Sequence, residues 1–537
     1  MRCPKPVLSG LVFLAVLSLP GLSLGGRARR PRSYKKSSFP GLEAVEAGDY
    51  AKAAAFFQKR LAQMPDDLEA MYGLVAALAG MGKLDEALAT ARKAVEAGLP
   101  VERFVAGPRD WFKALVATEG FKDLFRRKGK PLLHGPMVGR VTDHSAAFWV
   151  RTAAESRVEV VVGTGRGLAG SRRSPVARTS AARDYTVVVE VGGLKPSRRY
   201  HYQVFVDGAA MLAGELPSFE TFPPAGRKAR FRVAFGGGAG YVPWNEKMWD
   251  VVRSHAPLAF LFLGDNVYID RPTLPALQRY CYYRRQSRPE FRRLVASTAC
   301  YAIWDDHDFG TNDCAYGSRV DEPAWKVPVW RVFCQNWNNP YYGGGEAQPG
   351  CWFHFSIGDV DFFLLDGRFY RSKPRGPEPT MLGPAQKRWL LARLKASKAT
   401  FKVLASGVPW ALGTKPGSLD TWEGFKAERE EILSFIEKNR IGGVVLLSAD
   451  RHRSDIWRLK RHVGYPLYEF ESSRLTNQHR HGKIPGAVFS YNEKQSFGLL
   501  TFDTTKPDPT VTYDIYNIDN QRVHSFTLRK SQLTPKR

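Results

Sequence analysis

Cysteine is scarce, 6 in 537 residues, and no two are spaced as CxxC. That excludes a zinc site of the paired-thiolate kind. Five cysteines, Cys281, Cys300, Cys314, Cys334 and Cys351, remain once a leader carrying Cys3 is set aside, so at most two internal bridges can form and one thiol is left over. Long apolar runs are also missing beyond the first 25 residues, which excludes a membrane-spanning bundle. Acidic residues are in short supply, 52 against 79 Lys and Arg, a net charge of +27. Such a surface favours anionic partners, phosphorylated substrates, nucleic acid or anionic lipid, without choosing among them. Hydrophobic content of 44% and charged content of 24% are ordinary for globular chains, and the length allows about three or four domains.

At the N-terminus Arg2 and Lys5 precede an apolar stretch over 7–24, then Gly25, Gly26 and a basic run over 27–32. This is the layout of a signal peptide over residues 1–25, with a single membrane anchor as the alternative. A secreted or periplasmic protein is expected. Farther on, Gly48, Tyr50, Ala53, Phe57 and Leu61 are echoed by Gly82, Leu84, Ala87, Ala91 and Val95, each 34 positions later. That period predicts a tetratricopeptide-like helical repeat over 40–100, packing on its neighbour or binding a protein partner. Over 131–223 the period becomes two, with strands expected at 147–150, 157–162, 185–191, 200–206 and 218–221 and a turn at 192–196. A small antiparallel sandwich is expected there.

From 229 to 503 strand and helix patterns alternate. Apolar runs at 231–235, 258–263, 299–304, 360–365, 401–405 and 443–447 are too short and continuous for amphipathic helices and read as doubly buried strands of a layered α/β core. Residues 504–537 are expected to form C-terminal strands and a tail. The segment 280–293 interleaves tyrosines and arginines. It reads as a helix with an aromatic inner face and a solvated basic outer face, in preference to a base-stacking surface.

The residues just past each buried run carry the chemistry. Leu263 precedes Gly264-Asp265-Asn266-Val267-Tyr268, and Trp304 precedes Asp305-Asp306-His307-Asp308, with Asn312 and Asp313 just beyond. Leu365 precedes Asp366-Gly367-Arg368, Ala405 precedes Ser406-Gly407, and Leu447 precedes Ser448-Ala449-Asp450-Arg451-His452. Ligands gather outside the carboxyl ends of strands in α/β sheets, so these groups are expected at one edge. Crowded carboxylates bind protons or cations, and carboxylate, amide and imidazole donors suit calcium, magnesium, manganese, zinc or iron. Asp450 and His452, two apart, share one face of extended chain. Such an arrangement suits hydrolysis of phosphate esters by metal-activated water. Asp265 would bridge the metals, Asp306 would join the catalytic set, His307 would protonate the leaving oxygen, and Arg368 would hold phosphate oxygens. A carboxylate-only calcium scaffold needs none of His307, Arg368 and His452.

These motifs resemble the PhoD-type alkaline phosphatases and phosphodiesterases of the calcineurin-like metallophosphatase superfamily. The Trp-Asp-Asp-His-Asp run at 304–308 is the most specific of them, and Gly193-Leu194-Lys195-Pro196 with Tyr200-His201-Tyr202 resembles a fibronectin type III domain. The resemblance implies a four-layer αββα catalytic domain behind a fibronectin type III-like sandwich, hydrolysis of phosphate mono- or diesters, and two or more metal ions, Ca2+ and Fe3+ foremost, with Zn2+, Mn2+ or Mg2+ as alternatives. It carries metal-ligand roles onto Asp265, Tyr268, Asn312, Asp450 and His452. One departure stands out: Gly238 occupies the position where the family has a cysteine ligand. If that loss abolishes catalysis, the alternative is an extracellular binding or adhesion protein with a degenerate phosphatase-like domain. Expected partners are therefore a phosphate ester, an anionic polymer or membrane surface, and a protein at the repeat.

Overall fold

The computed structural model describes residues 34–462 and 464–535; the leader expected over residues 1–25 lies outside them. The 34-residue period is a pair of helical hairpins. Gly48 and Gly82 hold φ of +76° and +74°, just past the helices Phe39–Glu46 and Leu68–Gly80, a left-handed stop that glycine adopts without a Cβ penalty. Asp49 caps the helix Tyr50–Gln63 by accepting from the Lys52 amide, and Asp67 caps Leu68–Gly80 by accepting from Glu69 and Ala70. Leu84–Glu96 completes the second hairpin. Close crossing depends on small residues: Ala53, Ala87 and Ala91 are fully buried, and a Cβ on Gly73 would fall 2.1 Å from the Phe57 ring. Three further helices, Glu102–Ala106, Arg109–Val116 and Glu119–Lys128, extend this region.

The helical region packs on its neighbour. Buried Glu69 accepts from both terminal nitrogens of Arg103 at 2.9 and 3.1 Å and from the Tyr280 hydroxyl at 2.7 Å. Tyr280 belongs to the helix Pro275–Gln286, and this contact corrects the reading of 280–293. Arg284 and Arg285 are buried with the tyrosines, Arg284 donating to the Lys35 carbonyl and Arg285 to the Ala239 carbonyl, so these two arginines line an internal seam, while Arg293 of the next helix, Pro289–Val295, is exposed.

Between residues 132 and 220 two antiparallel sheets face one another. One has Ala146–Thr152 between Leu132–Gly139 and Thr186–Val191; the other centres on Arg157–Thr164 and Arg199–Val206. Phe148 of the first lies 4.6 Å from Tyr202 and 5.5 Å from Phe219 of the second, ring centre to ring centre.

The rest is two larger sheets. In the first, Arg230–Gly236, Ala259–Leu263 and Ala299–Ile303 run parallel, and Ser496–Asp503, Thr510–Asn517 and Arg522–Arg529 continue it antiparallel. The strands beyond the expected boundary at 503 continue the same sheet. In the second, Val360–Leu364, Phe401–Ala405, Val444–Ser448 and Leu467–Ser472 are parallel neighbours, flanked by antiparallel strands. Phe502 and Tyr513 of the first sheet meet Phe362, Phe401 and Phe470 of the second at 4.6–5.8 Å. Helices cover the outer faces, with Trp249 on Phe260 and Phe262 and Trp389 on Phe363. All five described cysteines are free thiols, so none of the bridges the count permits forms among the described residues.

Candidate metal centre

Parallel strands deliver their carboxyl-end loops to one edge, and here both sheets do so at the same place. A parallel bridge between Gly237 and Ser473 ties the strand ends of the two sheets together. Gly264 lets the Asp265 loop cross the next one, since a Cβ there would lie 2.5 Å from the Asp305 Cβ. Asp265, Asp450 and His452 hold φ of +52°, +66° and +47°. Non-glycine residues rarely sit there, and where they do the surrounding structure commonly holds a functional side chain in place.

A cavity of about 380 Å³ opens at this edge. Asp265, Asp306, His307, Asn312, Asp450 and His452 line it, together with Lys35, Lys36, Asp313, Lys415, Arg451, His479 and His481. Tyr268 stands behind, its hydroxyl donating to Asp265 Oδ2 at 2.8 Å, lying 3.2 Å from His452 Nε2 and accepting from Asn477 Nδ2 at 2.7 Å. Residues 265 and 452 are thus linked through one phenol. Asn312 sits at the exposed rim. Lys35 lies over the Tyr268 ring, 3.6 Å from its centre, and Lys36 pairs with Asp270.

Arg368 is not in this cavity, contrary to its expected role as a phosphate clamp. Its side chain is fully buried, Nε donating to Asp305 Oδ1 at 2.5 Å and the two terminal nitrogens to Asp420 at 2.7 and 3.1 Å. Its fork is spent on aligning carboxylates behind the site. Asp308 is also internal: it accepts from the amides of Asp305, Asn266 and Val267, bracing the 265 and 305 loops against each other.

Crowding sets the electrostatics. Burial, which His307 partly offsets, and then Asp306 and Asp305 raise the Asp265 carboxyl well above its ordinary value. Burial raises Asp305 to about 8 against the pull of Arg368. Burial works against charge on Asp306 too, but His307 and Arg368 outweigh it and hold the carboxyl down at about 2. Burial opposes a charge on His307, yet Asp306, Asp265 and Asp270 prevail and lift the imidazole to about 10. His307 Nδ1 is 2.6 Å from Asp270 Oδ1. Burial drives His452 well below 6.5, so it offers neutral imidazole.

This donor set fits a hard or borderline cation. Asp265, Asp306 and His307 each place one ligand atom within 4.8 Å of the others, as do Asp306, Asp313 and Asp420. Asp265 Oδ1, Asp305 Oδ2 and His452 Nδ1 are buried without a hydrogen-bond partner, and a cation would answer the cost of such burial. Gly238 offers no side-chain ligand. Its φ is +68°, and a Cβ would meet the Arg474 amide nitrogen at 2.8 Å.

Residues 234–496 match the PhoD-like phosphatase family. They are similar to a PhoD-like phosphatase domain. Residues 44–100 match the tetratricopeptide repeat, and 129–223 match a domain of unknown function, DUF7800. Alkaline phosphatase D of Bacillus subtilis (strain 168) is 26% identical over 332 residues, 52% of this chain and 55% of that protein, so the match spans little more than half of the curated relative. A solved structure of PhoD superposes with a TM-score of 0.61 at 18% identity, covering 73% of this chain and 91% of its own. Purple acid phosphatase PPD1 from yellow lupin does so at 0.54 and 12%, covering 75% of each chain.

Several residues at this cavity and behind it escaped the sequence reading. Lys35 and Lys36 come from a segment with linker composition, and Lys415 and Asp420 from a loop without periodicity. His479 and His481 repeat the two-apart spacing of Asp450 and His452, a signal that was present.

Proposed function

We propose that this chain is a metal-dependent phosphoesterase hydrolysing phosphate mono- or diesters outside the cytoplasm. The observation carrying the reading is the meeting of Asp265, Tyr268, Asp306, His307, Asp450 and His452 at one cavity with Lys35, Lys36, Lys415 and Arg451 on its wall. Carboxylates that hold cations and ammonium groups that attract anions are what a phosphate ester needs at one point.

In this reading Asp265, Tyr268, Asn312, Asp450 and His452 hold the ions. Bound cations supply charge neutralisation at phosphate oxygens and a more acidic water. The chain's own residues do the rest. Lys35, Lys415 and Arg451 draw the phosphoryl group in, a task Arg368 is placed too deep to perform. His307, held at Nδ1 by Asp270, presents Nε2 as the nitrogen that gives a proton to the leaving oxygen, while Asp306 keeps that imidazole charged. Calcium with iron is the proposed ion pair, and the absence of a thiolate at Gly238 points equally to zinc or manganese.

The finer architecture belongs to the same reading. It comprises a signal peptide at 1–25, a fibronectin type III-like sandwich at 131–223 and a four-layer αββα core from 229. The apolar N-terminal stretch supports export, and among the described residues no helix is long and apolar enough to cross a membrane. The net charge of +27 supports an anionic polymer or membrane surface as a partner, and the helical repeat supports a protein partner. A binding protein with a degenerate domain gains no support from a cavity that gathers Asp265, Asp306, His307, Asp450 and His452. Hydrolysis of a chromogenic phosphate ester by the purified chain, repeated after chelation and in Asp265→Ala, tests the proposal: activity that chelation and the substitution both abolish supports it, and no hydrolysis with any added metal rejects it.

A further inference from the structure

The loop 473–481 crosses the glycine-rich end of the strand Arg230–Gly236 and carries two imidazoles to the cavity rim. Leu475 and Asn477 donate backbone amides to the carbonyls of Gly237 and Gly238, and Thr476 Oγ1 donates to that of Gly240. Side chains at this strand end would block the approach: a Cβ on Gly236 would lie 2.9 Å from Leu475 and one on Gly240 3.0 Å from Asn477. The same Asn477 donates to the Tyr268 hydroxyl and accepts from the His479 amide through its side chain, so the loop is pinned at the point where it enters the site.

Beyond that pin His479, His481 and His452 form a triad. His481 Nδ1 donates to the Arg451 carbonyl at 3.0 Å, which leaves Nε2 bearing its lone pair, 2.9 Å from His479 Nε2. The His452 and His481 rings lie nearly parallel with centres 5.0 Å apart, and His479 stands across them at 5.1 and 4.6 Å. One ring nitrogen from each residue lies within 4.8 Å of the other two. His452 is 4% exposed and its Nδ1 has no hydrogen-bond partner. Two imidazole nitrogens on one cation, each about 2.0–2.1 Å from it, stand roughly 2.9–3.4 Å apart, which is the separation of His479 and His481. The backbone carbonyl on His481 fixes its tautomer in the way ligating histidines are usually fixed.

We propose that His452, His479 and His481 form a divalent-cation subsite of the zinc class at the rim of the phosphoesterase cavity. Three neutral imidazoles without a thiolate or a directly bonded carboxylate select borderline cations such as Zn2+ over Ca2+ or Mg2+, and three protein ligands leave a fourth position open to the cavity. The subsite shares His452 with the phosphoesterase reading and rests on it for the cavity, but its test counts ions and does not depend on turnover.

Zinc titration of the full chain, with zinc counted after dialysis, is to be compared among the wild type, Asp265→Asn, His479→Gln, His481→Gln and the double variant His479→Gln/His481→Gln. The expected result is one equivalent of zinc fewer in the double variant, weaker retention in each single variant, and a cobalt-loaded absorption spectrum that changes with either histidine. Asp265→Asn should keep this equivalent while losing hydrolysis, so failure of the enzyme reading would not mimic failure of the subsite. Equal zinc content and an unchanged cobalt spectrum in folded variants would overturn the proposal and leave an ordinary histidine–histidine hydrogen bond. Should the double variant not fold by circular dichroism, the single variants decide by the same two readouts.

Discussion

Arg368 grips Asp420 with both terminal nitrogens, at 2.7 and 3.1 Å, and spends its Nε on Asp305. The three side chains are almost wholly enclosed, with Arg371 and Lys415 completing the charge balance on Asp420. Removing one partner of a buried pair strands the others, at a cost of about 3–5 kcal/mol. Arg368→Ala should therefore unfold at markedly lower denaturant, with a similar loss for Asp420→Ala. A variant as stable as the wild type whose KM alone rises would return Arg368 to the phosphate.

His307 makes a different kind of prediction, since its part is chemical. Replacing it with Gln should lower kcat by about 10²–10⁴ for an alkyl phosphate, whose leaving oxygen needs a proton, and far less for a nitrophenyl ester, whose leaving group does not. Measuring kcat across a series of leaving groups gives the slope that checks this. An equal loss at every leaving group would make His307 a positioning residue.

Chelation should act on stability as well as rate. Cations binding the folded cavity alone add about 2.7 kcal/mol at a hundred times their dissociation constant. Removing them should lower the melting temperature of the wild type and change that of Asp265→Asn much less. Identical shifts in the two proteins would place the stabilising ion elsewhere.

Much of this site was legible because its signals are local. Short apolar runs ending in Asp265, Asp306 and His307, or Asp450 and His452 announce strands and their carboxyl-end loops, and parallel strands leave those loops only one edge to share. Arg368 was misread for a physical reason: a guanidinium after a strand looks the same in sequence whether it faces solvent or a carboxylate, and Asp420 arrives from a loop 52 residues on. Arg284 and Arg285 failed likewise, since their partners, the Lys35 and Ala239 carbonyls and Glu246, lie far away in sequence. Lys35 could not be assigned from a linker composition that says nothing about where the chain passes.

The docking seam yields a pH prediction. Glu69 is buried, which opposes its charge, but Arg103 first and then Arg284 and the Tyr280 hydroxyl hold its carboxyl below the ordinary 4.5. A depressed carboxylate stabilises the fold fully above its unfolded value and loses that contribution as pH falls through the folded one. The wild type should therefore lose stability below about pH 4.5 more steeply than Glu69→Gln, which starts lower and has no proton to take up there. Parallel denaturation curves from pH 6 to 3 would show the pair to be indifferent.

Gly238 decides how the departure from the family's cysteine is to be understood. Its φ of +68° is strained for any residue with a Cβ, costing about 1–2 kcal/mol, and the added atom would overlap the Arg474 amide on the loop that carries His479 and His481. Restoring the thiol is therefore not a simple gain of a ligand here. Gly238→Cys should melt below the wild type and hold no more iron, because the loop that must move to admit the side chain also delivers the imidazoles and Asn477. Elemental analysis beside a thermal melt checks both halves. A variant that takes up additional iron without loss of stability would mean that this strand end can reshape around a thiolate, and that the glycine is a replaceable residue with no hold on the loop.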